Sequence, residues 1–166
     1  NTGAAGAPAF AASSANPFGL EGVASRANPT VADLDRDGDL DLVIGNQTGD
    51  LKYFENTGAA SAPAFAAPAI SPFGLYDTGD YAAPEFVDID ADGDMDLFVG
   101  NQNGTIQYFE NTGSADAPAF TERTGSGNPF TYECGTNFVS YDVGSSSKPA
   151  FADLDGDGDV DAAVGR

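Results

Sequence analysis

An aspartate-rich run of nine residues occurs three times in this chain and constrains its fold more than any other feature. Asp33-Leu34-Asp35-Arg36-Asp37-Gly38-Asp39-Leu40-Asp41 returns as Asp88-Ile89-Asp90-Ala91-Asp92-Gly93-Asp94-Met95-Asp96 and as Asp153-Leu154-Asp155-Gly156-Asp157-Gly158-Asp159-Val160-Asp161. Five carboxylates in nine residues repel one another unless a cation sits among them. The alternate spacing lets a short loop curl its side chains inward, and the glycine permits a sharp bend. Roughly six to eight oxygen ligands suit a hard divalent cation, and calcium tolerates such flexible geometry better than magnesium. The runs therefore predict three Ca²⁺ loops.

The runs are part of a longer repeat. Asn1-Thr2-Gly3 returns as Asn56-Thr57-Gly58 and Asn111-Thr112-Gly113, and Ala7-Pro8-Ala9-Phe10 returns at 62–65 and 117–120. Asn16-Pro17-Phe18-Gly19-Leu20 returns at 71–75 and partly at 128–130. The first two aspartate runs lie 55 residues apart, and the third unit carries ten extra residues around 132–147. One repeat region thus spans 1–166, divided as 1–55, 56–110 and a truncated 111–166.

A net charge of −20 resembles that of a disordered chain, but fifteen of the 26 acidic residues lie inside the runs. Three bound Ca²⁺ would bring the charge to about −14. The chain is 41% hydrophobic with 12 Phe and 6 Tyr, which suffices for a core. Six basic residues without a cluster argue against a nucleic-acid partner. No stretch approaches the roughly 18 apolar residues of a membrane span. The start at Asn1, without a leader-like segment, reads as a processed product or an excised piece. Cys134 is the only cysteine; it is expected to be a small buried hydrophobe, with a free or externally paired thiol as the other reading.

Four short strands per unit follow from β-branched and aromatic residues punctuated by Gly, Asn and Pro. The first unit offers 29–32, 40–44, 51–55 and 63–66; the second offers 84–87, 95–99, 105–110 and 118–121. Residues 45–49 and 100–104 read as hairpin turns. No segment shows a helical period free of Gly or Pro. Leu42-Val43-Ile44 and Leu97-Phe98-Val99 are apolar on both faces, which suits sheets stacked between neighbouring sheets. About 55 residues per four-stranded sheet predicts an all-β chain of β-propeller blades.

The run from Phe86 to Gly100 resembles the FG-GAP/VCBS repeat, which builds calcium-binding blades in integrin α-subunits and secreted bacterial proteins. In that family the first, third, fifth and ninth loop positions give carboxylates and the seventh gives its carbonyl. The resemblance implies one site from Asp33, Asp35, Asp37 and Asp41 with the Asp39 carbonyl. It implies a second from Asp88, Asp90, Asp92 and Asp96 with the Asp94 carbonyl. The third comprises Asp153, Asp155, Asp157 and Asp161 with the Asp159 carbonyl. An EF-hand shares the opening spacing but needs a Glu at the twelfth position between helices. Ile44, Val99 and Val164 stand there, between strands.

Closed propellers have about four to eight blades, so three units are expected to meet further blades, in a longer chain or in a symmetric partner. Asn1 to Phe10 could complete the sheet begun at 148–165. The calcium loops belong on one rim and the second-to-third turns on the other. Calcium is expected to be structural. No His is present and no nucleophile motif appears, so an enzyme is not expected. Glu55 and Glu110 recur at one repeat position, which favours structural roles. The functional expectation is an extracellular, secreted or cell-surface binding module for adhesion, meeting glycan or a surface protein. Asn46, Gln47, Asn101, Gln102 and Tyr76 are candidate contacts, unless the amides cap turns and Tyr76 packs between blades. The alternatives are an architectural unit of a giant surface protein or filament, and an ancillary domain of a secreted enzyme.

Overall fold

The computed structural model describes residues 4, 6–12, 16, 18–23, 25–59, 61–114 and 116–166. Among these the chain forms two four-stranded antiparallel sheets, each strand pairing with its neighbour in sequence. The first holds β1 (Asn28–Ala32), β2 (Asp41–Gly45), β3 (Leu51–Phe54) and β4 (Ala69–Ile70). The second holds β5 (Ala83–Val87), β6 (Asp96–Gly100), β7 (Ile106–Asn111) and β8 (Phe120–Arg123). A hairpin of β9 (Thr131–Cys134) and β10 (Asn137–Ser140) precedes the two-stranded sheet of β11 (Lys148–Ala152) and β12 (Asp161–Gly165). One 3₁₀ turn at Gly125–Gly127 is the sole helical element described.

Alternation along β6 explains how the sheets stack. Leu97 and Val99 point to the first sheet and join Val43, Leu51, Tyr53 and Leu75 in one core. Phe98 points the other way and packs with Tyr108 and Ile106 of its own sheet and with Phe130, Phe151 and Val164 of the third unit. Phe98 lies stacked on Tyr108 at 4.5 Å between centroids, with Phe151 at 4.7 Å. A strand apolar on both faces is thus buried on both faces, as its sequence predicts. Strand β1 packs beside β5, and β5 beside β11, so the first strands of successive sheets gather at a common axis. Lys148 Nζ donates to Asn28 Oδ1 at 2.9 Å, linking the first strand of the third unit to that of the first.

Close approach at that axis requires glycine. A Cβ on Gly45 would lie 2.4 Å from the Ala82 carbonyl oxygen, and one on Gly100 would lie 2.2 Å from that of Ser147. Each glycine ends a second strand where the next sheet's first strand begins.

Several expectations shift. The fourth strand of the first sheet lies at Ala69–Ile70 rather than 63–66, because Asn56 Oδ1 accepts the amides of Gly58 and Ala64 at 3.1 and 3.0 Å. The Asn-Thr-Gly to Ala-Pro-Ala-Phe stretch therefore folds as a loop around a buried asparagine. Asn111 does the same for Gly113 and Ala119, so β8 also starts later than predicted. Cys134 is exposed, not buried: it ends the first strand of the β9–β10 hairpin, whose residues mostly face outward. The proposed completion of the third sheet by Asn1 to Phe10 falls partly on residues outside the described set. Of the rest, Ala4 pairs with Ala7 and Phe10 is 82% exposed.

Candidate metal centre

Each aspartate run forms the loop between the first and second strands of its sheet. Two backbone turns shape it. The fourth position is left-handed in all three loops, at φ +56° for Arg36, +61° for Ala91 and +81° for Gly156. The sixth is glycine with φ +92° to +96°, a region where a side chain is strained.

The aspartates then bond their own loop. The Asp37 amide donates to Asp35 Oδ1 at 3.3 Å, Asp39 to Asp37 Oδ1 at 2.8 Å, and Gly38 to Asp33 Oδ2 at 3.2 Å. The second loop repeats this at 3.2, 2.8 and 3.1 Å, and the third at 3.2, 2.9 and 3.1 Å. These bonds aim the remaining oxygens at one point. Asp33, Asp35 and Asp37 each bring a carboxylate oxygen within 4.8 Å of the others, as do Asp88, Asp90 and Asp92. Asp33 Oδ1 and Asp88 Oδ1 are buried and accept no hydrogen bond. A buried carboxylate oxygen without a donor is costly unless a cation faces it, so these residues fit a divalent ion.

The ninth position behaves differently. Asp41 is 2% exposed, and its oxygens accept from the Asn56 amide at 2.8 Å and the Tyr53 hydroxyl at 3.1 Å. Asp96 repeats this with Asn111 at 2.7 Å and Tyr108 at 3.2 Å. These aspartates tie the loop to the third strand and lie outside the three-carboxylate groups. Burial raises both carboxyls, that of Asp96 to about 6, against the opposing pull of the Asn111 amide. Burial and the neighbouring carboxylate also push the Tyr53 and Tyr108 phenols up. In the third unit Asp161 joins Asp153 and Asp155 instead, and Asp157 lies outside that group. No third strand stands beside β12 among the described residues, and Asp161 Oδ2 accepts the Leu154 amide at 2.9 Å.

The seventh position lies apart from the converging carboxylates. Asp94 pairs with Arg36 of the first loop at 2.8 Å, and the same guanidinium donates to the Gly93 carbonyl. Asp39 and Asp159 likewise lie outside the carboxylate groups.

A family model described as FG-GAP-like repeat matches residues 33–99 and again 88–164. The chain belongs to the FG-GAP-like repeat family. Both matches open on the first aspartate of one run and close on the second strand of the following unit, so each spans a loop-to-loop period. No curated protein and no solved structure matches the chain.

The other candidates in this FG-GAP-like chain also make contacts within the fold. Asn46 Oδ1 caps its turn by accepting the Thr48 and Asp50 amides at 2.8 and 3.1 Å, and Asn101 accepts that of Asn103 at 3.0 Å. Gln47 and Gln102 use their carbonyls to receive the amides of Tyr81 and Ser146, each at 3.1 Å. Tyr76 packs edge-on against Phe109 at 5.5 Å and donates its hydroxyl to Glu122; burial and that carboxylate push its phenol up to about 12. Glu110 pairs with Arg123 at 2.7 Å, which holds its carboxyl below the ordinary value. The asparagine of the Asn-Thr-Gly motif was missed as a structural keystone; its return in each unit was the available signal.

Proposed function

We propose that this chain is a calcium-stapled β-propeller module that presents a rigid binding surface outside the cell. The observation that carries the reading is the orphaned pair Asp33 Oδ1 and Asp88 Oδ1, each at the same place in an identically bonded loop. Asp33, Asp35 and Asp37 with the Asp39 carbonyl would hold one ion; Asp88, Asp90 and Asp92 with the Asp94 carbonyl would hold the second. Asp153, Asp155 and Asp161 with the Asp159 carbonyl would hold the third. Asp41 and Asp96 anchor their loops to the third strand. Bound calcium supplies positive charge that lets the carboxylates stay close. Extracellular calcium is high enough to fill loops of this class, which supports a secreted or cell-surface setting. Adhesion through glycan or protein recognition is the role such a rigid module serves best.

Calorimetric titration of EDTA-stripped protein should count three ions, and EDTA should lower Tm markedly. A melting curve indifferent to chelator, or no ion uptake, would sink the calcium reading.

A further inference from the structure

The three repeats differ in chemistry at one position near the first strands of their sheets. Arg26, Tyr81 and Ser146 hold one repeat position, two residues before β1, β5 and β11. All three have left-handed backbone, with φ of +62°, +63° and +68°. Non-glycine residues rarely adopt that conformation, and such strain concentrates at ligand sites. The strain is held in place by the Tyr81 and Ser146 amides, which donate to the Gln47 and Gln102 carbonyls of the preceding turns. With Ala27, Asn28 and Lys148 these residues line a cleft of about 290 Å³ at the axis.

The charge of this cleft is opposite to that of the chain. Two of the six basic residues line it, and no carboxylate does. Arg36 and Arg123 form salt bridges, whereas the cleft's cations are oriented by neutral groups. The Arg26 guanidinium lies 4.3 Å above the Tyr81 ring centroid. Lys148 is held by Asn28 Oδ1, and Asn28 is itself fixed by donating Nδ2 to the Ala82 carbonyl at 2.9 Å. Neutral partners orient a cation without cancelling it, so both charges remain available to an anion.

We propose that the axial cleft binds the carboxylate of a uronic acid unit, with Arg26 and Lys148 as its anchors. The volume stands at the small end of ligand pockets, roughly 300–1,000 Å³, and suits a sugar unit rather than a folded partner. Ser146 and Tyr81, both hydroxyl-bearing, are among the lining residues and suit a partner rich in hydroxyls. The inference names a ligand for the binding-module reading and rests on it, but it does not depend on the metal loops.

Chemical-shift titration of the calcium-equilibrated full chain with digalacturonate tests it, with maltose and an aspartyl peptide as the other probes. Digalacturonate should bind, weaken as salt rises, and bind about tenfold less well to Arg26→Gln and to Lys148→Gln. Both residues are exposed, and unchanged calcium titration and Tm should show that the variants fold. Absence of shifts up to about 20 mM digalacturonate would overturn the proposal, as would equal binding of maltose or full affinity in both variants. An aspartyl peptide that binds as tightly would overturn the assignment to sugar. Failed calcium uptake with intact digalacturonate binding would count against the metal loops alone.

Discussion

At the scale of the residue, the aspartates divide into two kinds of work. Those at the first, third and fifth positions of the first two loops converge, while Asp41 and Asp96 are drawn to Tyr53, Tyr108 and the amides of the buried asparagines. The division predicts different losses. Asp90→Ala should cost one bound ion and lower Tm by about 5 °C, whereas Asp80→Ala and Asp116→Ala, at exposed carboxylates outside the loops, should change neither. Equal effects from all three, read by ion counting and thermal melting, would contradict the loop assignment. Tyr108→Phe should leave the ion count intact yet cost about 1–3 kcal/mol, because Asp96 stays buried without its hydroxyl donor. Denaturant unfolding in calcium would measure this.

At the scale of the element, the sheets are held apart or together by their second strands. β6 buries side chains on both faces, and Gly100 at its end admits the first strand of the next unit. Gly100→Ala should therefore destabilise by about 1–3 kcal/mol, since a Cβ would meet the Ser147 carbonyl. Gly22→Ala, with no atom within 4 Å of its Cβ, should stay within about 0.5 kcal/mol. Similar denaturation midpoints for the two variants would show that the sheets do not approach at Gly100. The strand order and the two-faced burial were legible from apolar runs such as Leu97-Phe98-Val99. The bounds of the fourth strands were not, because a side chain, Asn56 or Asn111, reorganises the backbone eight residues away.

At the scale of the whole molecule, the outer sheets leave apolar surface uncovered. Leu34 is 4% exposed between the first and second sheets, but Leu154, at the same loop position in the third unit, is 69% exposed. Val31 is 54% exposed on the first sheet, where its counterpart Phe86 packs into the inter-sheet core. Surfaces of this kind are covered in soluble proteins. The 166-residue chain by itself should associate through these faces, and sedimentation showing a stable monomer over a wide concentration range would refute that.

The sequence by itself determined the repeat, the all-β class, the loops and their aspartates, because each depends on residues at most a few positions apart. Alternate carboxylates and a glycine specify a loop wherever they occur, and alternate apolar residues specify a strand. The tertiary structure decided where the ninth aspartate points, since Tyr53 lies 12 residues and Asn56 15 residues beyond Asp41. It likewise decided that Cys134 is exposed and that Arg26, Tyr81 and Lys148 share one cleft. Those outcomes rest on which strands stand side by side about the axis. Periodicity along the chain shows that the units stack, but only the folded arrangement shows which side chains meet there.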